Sequence, residues 1–148
     1  MSGALVSLIV VLCLLAEAFF SGAEIGVVSA DRMGLRHTAA RGSRGARLAL
    51  RMLENPEWLL STTLVGTNIA VVTNTTVVTV YVAQTLGDSW GWLSAAIVAP
   101  LSWIFGEIVA KGVFQQRADV LTPRVIFVLR GASYLFAPIL LVFTTLSR

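Results

Sequence analysis

Three stretches of this chain run apolar, with neither the alternation of a strand nor the one-sided stripe of a soluble helix. They cover residues 4–28, 58–83 and 92–114. Crossing a hydrocarbon core takes roughly 20 helical residues, so each is long enough to span. The pattern predicts an all-α integral membrane protein of three transmembrane helices. Between the first two stretches the character changes. Arg44, Arg47 and Arg51 recur at i, i+3 and i+7, while Ala49, Met52 and Leu53 fall on another side. That spacing predicts an amphipathic helix over about residues 31–55, lying in the interface and ended by Pro56. The turn Leu86-Gly87-Asp88-Ser89 joins spans two and three. A fourth apolar stretch, residues 125–146, is interrupted by Arg130, Gly131 and Pro138. Buried arginine is costly and each half is too short to cross, so short interfacial helices are expected over about residues 117–147.

Composition agrees with a membrane setting. Only 13% of residues are charged, against about a quarter in ordinary globular domains, and mean hydropathy is +0.81. The length allows one domain. Ten of the eleven basic residues are arginine, and six of them lie between Arg32 and Arg51. By the positive-inside rule this flank and the one around Lys111 to Arg124 face the cytoplasm and anionic lipid, leaving the N-terminus outside a plasma-membrane protein. Trp90 and Trp92 suit the outer interface and Trp58 the inner one. Nucleic acid is not an expected partner, because no aromatic or fold signature accompanies the arginines. Ala16-Glu17-Ala18 imitates a signal-peptide cleavage site. The leading Met-Ser-Gly carries no basic side chain, however, and apolar residues resume at Phe19, so a first membrane helix is the reading adopted. Cys13 stands alone, which excludes an internal disulfide or a cysteine metal site.

The spans carry groups that lipid excludes. Glu17, Ser21 and Glu24 share one face of the first span, and a carboxylate facing hydrocarbon would cost about 2.5–3.5 kcal/mol at the centre. Glu17 lies deeper; Glu24 sits where it could also emerge at the interface. The second span holds many threonines, most of which can bond their own helix carbonyls, and the amides Asn68 and Asn74. An amide oxygen can replace hydration water around a hard cation or bond a neighbouring helix. In the third span Glu107 and Lys111 are four apart, so an ion pair competes with a role for Glu107 as the anionic element of a cation site. These oxygens, with no thiolate and one imidazole outside the spans (His37), point to magnesium, calcium or an alkali cation. No nucleophile–base pair or phosphate loop is present, so an enzyme is not expected.

Several ordered motifs resemble the transmembrane domain of the CorC/CNNM (cyclin M) magnesium transporter family. Phe19-Phe20-Ser21-Gly22-Ala23-Glu24-Ile25 is similar to its Phe-Phe-Ser-Gly-Ser-Glu signature. The likeness continues through Arg41-Gly42-Ser43-Arg44-Gly45-Ala46-Arg47, Leu53-Glu54-Asn55-Pro56, Leu64-Val65-Gly66-Thr67-Asn68 and Phe105-Gly106-Glu107-Ile108. The resemblance implies a homodimer of three membrane helices per subunit with a belt of juxtamembrane helices. It implies an acidic cavity that binds dehydrated Mg2+, with export coupled to Na+, and cytoplasmic ATP-binding CBS modules, which do not fall within these 148 residues. Ser21, Gly106 and Glu107 match motif positions, with Asn68 or Asn74 standing in for the family asparagine and Glu17 and Glu24 as further carboxylates. Three positions depart: Ala23 replaces a serine, Val71 an asparagine and Ala110 a proline. Proline at 110 would free the Gly106 carbonyl, whereas alanine restores an N–H expected to tie that carbonyl into the helix. Two functions are therefore carried forward: a divalent-cation transporter, and a non-transporting membrane scaffold or sensor with a degenerate site.

Overall fold

A computed structural model describes residues 2–146, and these are helical almost throughout, with no strand among them. Helix α1 (Gly3–Ser29) starts at Ser2, whose hydroxyl accepts the N–H of Leu5. Two short helices follow, α2 (Arg32–Ala40) and α3 (Arg44–Glu54), then the long α4 (Pro56–Leu86). The third span runs over residues 88–116. It comprises a 3-10 turn, α5 (Gly91–Leu101), a π-helical stretch Ser102–Val109, and α6 (Ala110–Gln116). Helices α7 (Ala118–Leu135) and α8 (Ala137–Leu146) complete the chain.

Three helices are long and apolar enough to cross a membrane, as hydropathy predicts; this is a multi-pass membrane protein. The regions between spans differ from expectation in detail. The single amphipathic helix over 31–55 is two helices. Gly42 takes φ +99° between them, and Ser43 caps α3 through the N–H of Ala46. A left-handed glycine followed by a serine cap ends one helix and starts the next. Pro56 opens α4 rather than closing α3, at the first-turn position where its missing N–H costs nothing. Arg130 and Gly131 do not interrupt α7. The break falls at Phe136, two residues before Pro138, which has no N–H to give and whose ring cannot sit against the carbonyl of Tyr134 four residues back.

Small residues set the helix approaches. Helices α1 and α4 run antiparallel: the ring of Phe20 occupies the space a side chain at Gly66 would need, and Tyr81 lies beside Gly3. The ring of Phe114 on α6 fills the surface left bare by Gly22 and Gly26. On the basic side, Gly45 of α3 meets the backbone carbonyl of Pro123 on α7. The core lies there, built from Ala23, Val27, Leu48, Leu59, Ile126 and Leu129. Two polar links fasten α7, one to α1 and one to the start of α2. Thr122 Oγ1 donates to the Gly26 carbonyl at 3.0 Å, and Asp119 accepts the Asp31 N–H at 3.0 Å. Asp31 itself caps α2 through Met33 and Gly34. The outer faces of the spans, with Leu12, Leu64 and Trp103, remain apolar and exposed, as contact with lipid requires.

Candidate cation site

Most polar side chains within the spans are satisfied locally. Thr62 donates to the Trp58 carbonyl, Thr85 to that of Tyr81, and Thr79 pairs with Ser94 of α5 at 2.7 Å. Against this background four buried oxygens stand out among the described residues: Glu17 Oε2, Ser21 Oγ, Asn74 Oδ1 and Ser102 Oγ have no hydrogen-bond partner. Buried polar atoms in native proteins are nearly always paired, and an unpaired one costs free energy. All four are oxygens, and they come from three different spans.

Their placement follows from the packing. Glu17 and Ser21 are one turn apart on the inward face of α1, and both are buried. The Glu17 carboxyl lies directly on the Cα of Gly106, in the space a Cβ would fill. The Ser102 hydroxyl sits beside the same carboxyl, and Glu107 is near enough to act on it electrostatically. Although Ser102 borders the carboxyl, no hydrogen bond of ordinary geometry joins them. Ser102 and Gly106 are four apart on the π stretch, so both present to α1. On α4, the buried Gly66, Ala70 and Asn74 form an i, i+4, i+8 stripe, which the Phe20–Gly66 contact turns toward α1. Asn74 therefore lies between the level of Gly66 and that of Tyr81.

The π stretch changes the reading of Ala110. Its N–H is donated to the carbonyl of Glu107, three residues back, rather than tying up Gly106 as an uninterrupted α-helix would. Pro100, which cannot donate, lies two residues before this stretch, and Gly106 lies within it; both weaken the α-helical ladder locally. Widened turns of this kind are frequent at functional sites.

The remaining sequence candidates are placed as follows. Glu107 is half-buried, and among the described residues no ion pair joins it to Lys111. Asn68 is exposed, its amide donating to the Leu64 carbonyl of its own helix at 2.9 Å, and it is not among the four unpartnered groups. Glu24 lines a separate cavity of about 300 Å3 with Arg32, Pro56 and Leu60, 3.4 Å from the Thr63 hydroxyl. Ser102 is not among the residues that the sequence singles out. Its only sequence signal is its spacing of four from Gly106. Among the described residues no group of three His, Cys, Asp or Glu side chains could hold a metal. The donors here are instead carboxylate, hydroxyl and amide oxygens, the set that suits hard cations.

Comparison with known proteins bears on the whole chain. The chain is 30% identical over 112 residues to a UPF0053 protein of Haemophilus influenzae, covering 76% of this chain and 27% of that one. It is 24% identical over 132 residues to the UPF0053 inner membrane protein YfjD of Escherichia coli, covering 89% and 31%. A third relative, UPF0053 protein sll0260 of Synechocystis, is 34% identical over 109 residues. The chain thus spans less than a third of the length of these curated relatives. Residues 8–148 match the family profile described as the cyclin M transmembrane N-terminal domain. The family motifs, the three spans and that match agree, and the chain belongs to the cyclin M (CNNM) transmembrane family.

Proposed function

We propose that this domain binds a hard divalent cation, magnesium, between its three spans and carries it across the membrane. The observation that carries the reading is the set of four unpartnered buried oxygens on Glu17, Ser21, Asn74 and Ser102. Glu17 and Glu107 would supply two negative charges to a dication. Ser21, Asn74 and Ser102 would replace part of its hydration shell, and Mg2+ characteristically keeps some water besides. The departures from the family motif then have local answers. Asn74 lies one turn beyond Val71 and offers the amide that valine lacks. Glu17 and Ser102 offer oxygens in place of the serine missing at Ala23. Rocking of the spans against each other would expose the site alternately. Association as a homodimer through exposed apolar span faces, Na+ coupling and outward transport are part of this proposal, as is placement of the arginine-rich side in the cytoplasm.

The test is thermal unfolding in detergent across a magnesium series, together with Mg2+ flux from loaded vesicles. Saturating Mg2+ should stabilise the wild type by about 2.7 kcal/mol at a hundredfold excess over Kd. Glu17→Gln and Glu107→Gln should each abolish that rise and the flux while leaving the metal-free melting temperature near its original value. A protein indifferent to every divalent ion would sink the proposal. It would favour the second reading, a membrane scaffold, for which the changes at Ala23, Val71 and Ala110 speak.

A further inference from the structure

Away from the cation site, the two juxtamembrane helices α3 and α7 enclose a cationic bay. Arg44, Arg47 and Arg51 of α3 and Arg130 of α7 line a cavity of about 210 Å3 floored by Leu48 and Phe127. No acidic side chain lines it, and among the described residues no carboxylate forms an ion pair with any of the four. Arg47 donates to the Gly42 carbonyl at 3.3 Å. Arg130 is held in place by the Tyr134 hydroxyl at 3.0 Å and by stacking 5.6 Å from that ring's centre. Like charges three and four residues apart on one helix repel, and a fourth guanidinium delivered by a second helix adds to the repulsion. Planar guanidinium groups converging on one small volume fit a phosphodiester.

The bay does not stand alone. It adjoins a groove of about 850 Å3 that shares Leu48, Arg51 and Arg130 with it and is walled by Met52, Trp58 and Leu141. Glu54 and Glu57 also line this larger groove, so a second phosphate would be repelled there and the anionic group is confined to the bay. Trp58 and Tyr134 are the amphipathic aromatics typical of a membrane–water boundary. A small cationic pocket beside a larger groove with apolar walls at Met52, Trp58 and Leu141, at the ends of the spans, complements the charge and shape of one anionic amphiphile. We infer that the α3–α7 bay binds the headgroup phosphate of an anionic phospholipid, one acyl chain lying in the adjoining groove.

The experiment uses the purified chain in detergent, with bound lipid read by native mass spectrometry after equilibration with phosphatidylglycerol or phosphatidylcholine. The wild type should retain phosphatidylglycerol in preference, and the preference should fall about fivefold for each bay arginine removed, as in Arg51→Gln and Arg130→Gln. Arg36→Gln and Arg117→Gln remove the same charge from exposed positions outside the bay and should leave it unchanged. Should Arg130→Gln not fold, Arg44→Gln at an exposed position reads the same preference. Equal losses in bay and control variants would overturn the inference in favour of diffuse charge attraction. So would equal retention of phosphatidylcholine, or displacement of the lipid by inorganic phosphate or glycerol phosphate, which would mark a site for a soluble anion.

Discussion

The carboxyl group of Glu17 rests on the bare Cα of Gly106, so that the deepest acid of the first span and the glycine of the third occupy one another's space. Neither residue can change size alone. Gly106→Ala should force the carboxyl aside, costing about 1–3 kcal/mol as overpacking does. Melting should drop by several degrees and the stabilisation by magnesium should disappear. An unaltered magnesium response in Gly106→Ala would separate Glu17 from the cation.

Two asparagines of α4 give opposite expectations. Asn74 is buried with an unpartnered oxygen, whereas Asn68 is exposed and bonded to its own helix. Asn74→Ala should weaken magnesium binding by about 1.5–3 kcal/mol, the range for a bond to a charged partner, which is at least tenfold in Kd. Asn68→Ala should leave the titration within experimental error. Reversal of the two results would mean that α4 turns its other face to the site when the ion binds.

Restoring the family residue by Ala110→Pro should be tolerated better than a proline inside an ordinary helix, which costs about 3 kcal/mol. The N–H that would be lost serves only the three-residue contact to Glu107 at the end of the π stretch. Melting should fall by less than that cost implies, and magnesium affinity should hold or rise. Complete unfolding would show that the α6 start depends on this donor.

Gly45→Ala tests the periphery. Its methyl would overlap the carbonyl of Pro123, a backbone atom that cannot step aside as a side chain could. A loss of about 1–3 kcal/mol is expected, with the magnesium response of the folded fraction retained, because α3 contributes none of the four oxygens. A selective loss of magnesium binding without loss of stability would link this helix crossing to the site.

How far these features could be read from sequence depends on the physics behind each. The spans were legible because lipid demands long apolar helices, and Glu17 because an acid in such a helix is anomalous. Asn68 and Asn74 could not be separated, since which of them faces α1 is set by Phe20 lying against Gly66, a contact that spacing alone does not give. Ser102 was invisible: a serine in an apolar run usually bonds its own helix, and only the packing of Glu17 against this stretch brings it to notice. The division of 31–55 at Gly42 was overridden by the arginine periodicity, although glycine followed by a capping serine is a recognisable stop and start. The widened turn had no signature beyond Pro100 and Gly106, both common in membrane helices.

That widened turn also fixes the phase of everything after it. Each residue in a helix advances its side chain by about 100°. Deleting one residue between Ala110 and Phe114, where ordinary α geometry has no extra residue to give up, would swing Phe114 by about that angle away from the paired glycines, Gly22 and Gly26, that receive its ring. The third span is therefore keyed to the first by an aromatic ring in a two-glycine lock, and the widened turn sets the angle at which that key arrives.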